Sequence, residues 1–200
     1  MKIILARHGE TDWNLAKRIQ GQHDNELNST GRMQAEQLGK ALHKENHNII
    51  KIYSSKQKRA ALTAEIANKE LNVVCQAIEG LEEMNFGLWE GFTWAELEEK
   101  YPVELSEWCN NRRYSKIHKG ESYQELVERV LTALQRIIAS ETGTILVVTH
   151  GAVMMALQSY LNNTPFEEMI KRYGLGNVST VIFDSEDIIE GAIRLKRFGV

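Results

Sequence analysis

Arg7-His8-Gly9 follows the apolar run Ile3-Ile4-Leu5-Ala6, and His150-Gly151 follows the run Ile145-Leu146-Val147-Val148-Thr149. Each run reads as a short buried strand that delivers an imidazole at its carboxyl end. In an open α/β sheet, that end is where ligands bind. An imidazole beside a guanidinium suggests a nucleophile next to an anion clamp. A single histidine at a strand end is usually an ordinary surface residue. The second copy of the arrangement sets this pair apart. The segment after the first copy, Glu10-Thr11-Asp12-Trp13-Asn14, is a polar loop with donors of its own.

Two further segments should reach the same edge. Ser54-Ser55-Lys56-Gln57-Lys58-Arg59-Ala60 leaves an apolar run and enters a helix, so Arg59 can point back toward the histidines. Leu81-Glu82-Glu83-Met84-Asn85-Phe86-Gly87-Leu88-Trp89-Glu90-Gly91 brings Glu82 and Glu83 as candidate carboxylates. The His150-Gly151 segment itself opens a helix whose first N–H groups favour an anion.

The elements that must position these residues are legible from pattern. Short β-rich runs fall at 2–7, 49–54, 72–78, 144–149, 177–183 and 191–198, mostly separated by helical patterns. Residues 29–45 carry Ala35, Leu38, Ala41 and Leu42 on one face, with Asn28 or Ser29 as the cap. Residues 122–140 form the clearest helix, with a stripe of Leu126, Val130, Leu134 and Ile137, widened by Val127, Leu131 and Ile138. Its start, Ser122-Tyr123-Gln124-Glu125, is a capping box, and Thr164-Pro165-Phe166-Glu167 reads as another. This alternation predicts a three-layer α/β/α sandwich around a mostly parallel sheet. The run 191–198, after a short turn from 177–183, is expected to pair antiparallel at an edge. Residues 92–121 break the rhythm: two short helical pieces, interrupted at Pro102, rich in Trp, Tyr and basic residues. They read as an insertion over the carboxyl edge of the sheet, within a single domain spanning 1–200.

Composition bounds the partners. The 200 residues carry 24 Lys and Arg against 27 Asp and Glu, a formal net charge of −3, which gives no general attraction to nucleic acid or anionic membrane. Affinity for an anion must then come from local clustering. No apolar run approaches the ~20 residues that span a bilayer. No signal-peptide pattern precedes the first strand, so a cytoplasmic location is expected. Cys75 and Cys109 are far apart in sequence and form no Cys-x-x-Cys pair, so two buried free thiols are expected.

The chain resembles the histidine phosphatase superfamily, which includes the cofactor-dependent phosphoglycerate mutases. The resemblance rests on motifs in family order over nearly the whole chain. These are Arg7-His8-Gly9-Glu10-Thr11 with Asn14; Gln20-Gly21 with Asp24 and Gly31; and Ser54-Ser55 with Arg59-Ala60 and Thr63-Ala64. There follow Glu83 with Phe86-Gly87 and Trp89-Glu90-Gly91, then Gly120-Glu121-Ser122, then Val148-Thr149-His150-Gly151. The resemblance implies a phosphoglycerate mutase-like fold. It implies that His8 attacks phosphorus and becomes phosphohistidine, and that Arg7, Arg59 and His150 hold the phosphoryl oxygens. Glu83 would protonate the leaving oxygen and then deprotonate water. Asn14, Glu10, Thr11, Gln20, Gly21 and Gly151 would help bind the phosphate. No metal and no cofactor are implied, and the partner is a small phosphorylated metabolite. Family members often dimerise, which allows a homodimer; no strand or stripe decides it. Two departures stand out: Lys56-Gln57 where the family has Asp-Leu, and His118-Lys119 where it has Pro-Gly.

Elementary chemistry supports those roles independently. Phosphoryl transfer asks mostly for positioning and charge stabilisation. Guanidinium matches two phosphate oxygens in a fork. A neutral imidazole is a competent nucleophile near pH 7 when its other nitrogen is fixed as a donor. A carboxylic acid among apolar groups, here with Phe86 and Trp89 as the wall, can protonate a leaving alkoxide.

Plainer readings compete at several positions. Glu82 rivals Glu83 as the acid, and spacing to Phe86-Gly87 favours Glu83. His43 and His47 could mimic a metal pair, but no third ligand is in view. His23 and His118 read as surface imidazoles, with His118 left open. Arg112, Arg113, Lys116 and Lys119 form either a solvated face or a surface that meets the anionic remainder of a substrate. Trp94, Tyr101, Trp108 and Tyr114 read as the insertion's own small core, with one or two able to line the pocket. Gly174-Leu175-Gly176 reads as a turn into strand 177–183 rather than a dinucleotide fingerprint.

Three functions follow. The first is a phosphomonoesterase, in which water takes the phosphoryl group. The second is a mutase, which returns it to another hydroxyl. The third is a non-catalytic phosphate-binding regulatory module. The longer mutase insertion and its signature are missing after Gly91, which favours hydrolysis. Within the family, the chain looks like the small bacterial broad-specificity phosphatases, with α-ribazole phosphatase as a rival. The five catalytic positions are intact, which argues against a binding module.

Overall fold

Alternation along two strands divides the core between two helical layers. In the computed structural model, which describes residues 1–198, strand β1 (Lys2–Arg7) pairs in parallel with β4 (Thr144–Thr149). Ile4, Ala6, Leu146 and Val148 pack on one face of the sheet with Leu38, Leu42, Ala60, Ala64 and Ala67. Ile3, Leu5, Ile145 and Val147 point the other way, onto Leu126, Val130, Leu134, Val153 and Leu157. Successive side chains on a strand face opposite sides, so central strands covered on both faces read as continuous apolar runs.

The sheet order is β3-β2-β4-β1-β5, with β2 at Ile49–Ser55, β3 at Val74–Ile78 and β5 at Thr180–Asp184. All neighbouring pairs are parallel except β1 with β5. The predicted architecture is therefore present: a mostly parallel sheet with one antiparallel edge strand, between helical layers.

Helices α2 (Ser29–Glu45) and α3 (Lys58–Leu71) cover the first face, after the short α1 (Asp12–Leu15). Asn28 caps α2 by accepting from Gly31 N at 2.8 Å. Gly39 lets the two helices approach, since a Cβ there would lie 2.5 Å from the Ala67 carbonyl oxygen. The insertion contains α4 (Trp94–Lys100) and α5 (Pro102–Asn110), with Pro102 in the first turn of the second piece. On the second face, α6 (Tyr123–Ser140) carries the expected capping box and buries the predicted stripe; Ile138 is only partly buried. It packs with α7 (Gly151–Leu161) and α9 (Ser185–Phe198), and α7 in turn packs with α8 (Met169–Tyr173).

Four expectations are corrected. Residues 191–198 are helical, and β5 is the antiparallel edge. Within 191–198 alone, Ala192, Ile193, Leu195 and Phe198 are too few to fix a period. Extended back to Ser185, Ile188 and Ala192 are both buried and one helical turn apart, which is the helical period. Thr164 does not cap a helix: its hydroxyl pairs with the Tyr173 hydroxyl at 2.8 Å, and a 3₁₀ turn follows at Phe166–Glu168. The insertion's aromatics pack partly on one another, Trp94 on Trp108 and Phe92 on Tyr101, but not as a core of their own. Trp108 is buried against Trp89 and Tyr123 of the main core, while Trp94 and Tyr114 are exposed. Cys75 is exposed and Cys109 half-buried, so neither is a buried thiol.

Candidate active site

The register of the central strands builds the site. Arg7 lies opposite Thr149, and the ladder continues with His8 N donating to the Thr149 carbonyl at 3.0 Å. His8 and His150 are therefore neighbours, their ring centroids 5.2 Å apart at 59°. Both rings are buried. The next strand, β2, passes into α3, which brings Arg59, fully buried, to the same place.

One contact fixes the chemistry of His8. Its Nδ1 lies 2.7 Å from the Gly9 carbonyl oxygen, which can only accept. Nδ1 therefore carries the proton, and Nε2 of the neutral ring keeps a free lone pair. Burial lowers the His8 pKa well below its ordinary value, and the Arg59 and Arg7 charges push it further down. His150 is lowered in the same way, first by burial and then by Arg59 and His8. Both rings are thus neutral at pH 7.

The guanidiniums are held by backbone. Arg59 donates from Nη1 to the His23 carbonyl at 2.6 Å and from Nη2 to the Gly21 carbonyl at 2.9 Å. Arg7 donates from Nη1 to the Leu175 carbonyl. Burial lowers the Arg59 pKa to about 10 and lowers Arg7 as well, while Glu83 opposes both shifts. Both stay charged at neutral pH. Yet Arg7 Nε, Arg59 Nε and both ring nitrogens of His150 are buried without any hydrogen-bond partner. Buried polar atoms are nearly always paired, so such a cluster calls for an explanation. An oxyanion beside His8 would accept from the two arginine Nε–H groups and from the one His150 nitrogen that carries its proton.

Glu83 borders the cluster. Its Oε1 accepts from Met84 N at 2.9 Å, and its Oε2 accepts from Ala152 N, in the first turn of α7, at 3.3 Å. Gly151 lies against Arg7, where a Cβ would be 3.3 Å from Nε. Glu82 turns elsewhere, accepting from Gly80 N and lying 3.9 Å from Arg129. Of the two carboxylates, Glu83 is the one that acts on Arg7 and Arg59 and reaches the first turn of α7. Phe86 and Trp89 are buried, but their aromatic partners are Trp94 and Trp108.

The remaining predicted residues divide. Thr11 and Asn14 cap each other at α1: Thr11 Oγ1 accepts from Asn14 N, and Asn14 Oδ1 accepts from Thr11 N at 3.1 Å. Gln20 accepts from the Thr11 hydroxyl at 3.0 Å. Gly21 contributes its carbonyl to Arg59, and its φ of +49° and the adjacent Glu90 carboxylate leave no room for a side chain. The Glu10 carboxylate is turned to Asn28, and its backbone N–H is held by Gln34, so neither faces the histidines. Lys56 pairs with Glu79 on the surface. Arg112 stacks on Trp108, Arg113 on Tyr114, Tyr160 and Phe166, and Lys116 pairs with Glu125. Most of the basic patch is thereby engaged in holding the insertion down.

Two supporting residues went unrecognised in the sequence. Gln57 accepts from Glu83 N and donates to the Gly21 carbonyl, both at 2.8 Å, joining the acid loop to the loop that holds Arg59. Asn177 donates to the His8 carbonyl at 3.0 Å. No local pattern marks either.

A sizeable cavity lies elsewhere among the described residues. It measures about 890 Å³ and is lined by Arg113, Tyr160 and Arg194 among others, with none of the His8 cluster. Trp108 Nε1, Arg112 Nε and Ser159 Oγ are also buried without a partner, but they are single atoms on separate residues, whereas two arginines and His150 converge around His8, and that convergence of positive charge and N–H groups assigns the site. Among the described residues, no group of three or more His, Cys, Asp or Glu could hold a metal ion. No helix among them is long and apolar enough to cross a membrane.

Comparison with known proteins identifies the family. Residues 3–197 match the family described as the histidine phosphatase superfamily (branch 1). A metal-independent phosphoserine phosphatase of Arabidopsis thaliana is 38% identical over 78% of this chain and 66% of its own length. Phosphoserine phosphatase 1 of Hydrogenobacter thermophilus is 32% identical over 94% of this chain and 88% of its own. The solved mycobacterial glucosyl-3-phosphoglycerate phosphatase superposes with a TM-score of 0.82 at 29% identity, covering 92% of this chain and 90% of that one. The chain therefore belongs to the histidine phosphatase superfamily, branch 1, and is a phosphoric monoester hydrolase of that type.

Proposed function

We propose that the protein hydrolyses small phosphorylated metabolites without a metal, through a phosphohistidine on His8. The observation that carries this reading is the cluster of unpartnered buried nitrogens on Arg7, Arg59 and His150 around a ring whose Nδ1 is already committed. Nε2 of His8 attacks phosphorus, and the P–O bond to the leaving group breaks. Glu83 gives its proton to the departing oxygen. Water then attacks the phosphohistidine, Glu83 takes a proton from it, the P–N bond breaks and phosphate leaves. Arg7, Arg59 and His150 stabilise the equatorial oxygens throughout, as a preorganised electrostatic site does. Asn14 adds a hydrogen bond.

The named relatives act on phosphoserine and glucosyl-3-phosphoglycerate, which supports a phosphomonoester that also bears a carboxylate. This substrate class also supports a cytoplasmic location. The test is phosphate release from a panel of esters with chelator present, including phosphoserine, 3-phosphoglycerate, sugar phosphates, nucleotides, α-ribazole phosphate and p-nitrophenyl phosphate. Metal-independent release, fastest with the carboxylate-bearing esters, is expected. Release that depends on added metal would overturn the reading.

A further inference from the structure

The loop between α8 and β5 supplies no group to the reaction written above, yet it is fastened to the site at several points. Asn177 is one of them, and two backbone groups fix the orientations of Asn177 and Asn14. The His8 carbonyl can only accept, so the Asn177 atom 3.0 Å from it is Nδ2. The Thr11 N–H can only donate, so the Asn14 atom 3.1 Å from it is Oδ1. The two amides then meet as donor and acceptor, Asn177 Nδ2 to Asn14 Oδ1 at 3.3 Å. Asn14 Oδ1 faces the Thr11 hydroxyl as well, at 3.2 Å. Every contact of the Asn14 amide among the described residues is thus made by its oxygen. Its Nδ2, at the other end of the same planar group, is left to donate to a ligand.

The loop is shaped to hold Asn177 there. Val178, next to it, has φ of 53°, a left-handed conformation that β-branched side chains rarely adopt. Such outliers persist where the surroundings over-determine them, and they gather at functional sites. On either side, Arg7 Nη1 donates to the Leu175 carbonyl and Arg7 N donates to the Ser179 carbonyl. Residues 175–179 therefore tie together the clamp arginine, the nucleophile's backbone and Asn14.

We propose that Asn177 is a positioning residue for phosphoryl binding. Its amide bridges the His8 carbonyl and Asn14 Oδ1, and so sets Asn14 Nδ2 to donate to the phosphoryl group. This inference rests on the phosphate-binding role given to Asn14 in the proposed function.

The test is a double-mutant cycle read by calorimetric binding of inorganic phosphate, so that it does not depend on turnover. Asn177→Ala and Asn14→Ala should each weaken binding about five- to tenfold, and the double variant should match Asn14→Ala within about twofold. Equal losses from Asn177→Ala with and without Asn14, or no loss at all, would overturn the proposal. Asn177→Asp keeps the shape but presents no donor, and it should bind phosphate at least as weakly as Asn177→Ala. Wild-type binding by Asn177→Asp would show that shape alone suffices and would equally overturn it. Loss of metal-independent turnover in the wild type would count against the phosphatase reading, whereas the binding cycle judges Asn177 alone.

Discussion

Strand β2 and the turn after it border two clusters of ionisable groups, one near the surface and mutually paired, the other buried and incompletely paired. Toward its start, Lys51 Nζ and the Tyr53 hydroxyl both donate to Glu141 Oε1, at 2.9 and 2.6 Å, and Lys51 also lies over the Tyr53 ring. The hydrogen bonds from Tyr53 and Glu141 raise the Lys51 pKa, and those from Tyr53 and Lys51 lower that of Glu141. These groups answer one another. Beyond the other end, Arg59 joins Arg7, His8 and His150, where charges and rings are buried and several nitrogens remain unmatched. A cluster whose members satisfy each other is architecture. A buried cluster left unsatisfied at the carboxyl edge of a parallel sheet is arranged for something that arrives from outside.

The sharpest break in that comparison is at the nucleophile. His8→Ala should lower phosphate release about 10⁴-fold or more, measured as kcat/KM on p-nitrophenyl phosphate. Removing a clamp comes next. Arg59→Met should reduce kcat/KM by about 10²- to 10³-fold, the scale of losing one preorganised charge. Glu83→Gln should slow esters of poor leaving groups by about 10²-fold more than aryl esters, because only the former need the proton. Equal slowing of both would remove the acid role. By contrast, Lys51→Met at the satisfied cluster should leave kcat/KM within about twofold.

The pH dependence separates binding chemistry from stability. His8 and His150 have folded pKa values lowered by burial, so the unfolded chain binds more protons as the pH falls through about 6.5. Stability is full above that value and is lost below it, by at most about 1.4 kcal/mol per pH unit for each ring. Activity should outlast this onset, because His8 in the folded protein stays unprotonated to a lower pH. A melting temperature that holds steady from pH 7 to 5.5 would contradict the buried neutral rings.

Much of this was legible because it is local. The two apolar runs ending in His8 and His150, the Ser122 capping box and the stripe of α6 each lie within a few residues of sequence. Misreadings came where a window was too short to fix a period, as in 191–198, or where an aromatic cluster such as that around Trp108 joined the core of another segment. Gln57 and Asn177 were hidden for a different reason. An amide has no sequence signature, and the partner of Asn177, Asn14, is 163 residues away in the chain. Glu10, named by its place in a motif, shows the converse, since its carboxylate caps Asn28 instead.

The central claim is that Nε2 of His8 carries the phosphoryl group. Rapid quenching of the wild type with a ³²P-labelled ester, followed by alkaline peptide mapping, tests it most directly. Label on His8, stable to alkali, lost in acid and bonded at Nε2, is the expected result. Label on another residue, or at Nδ1 of His8, would contradict the account.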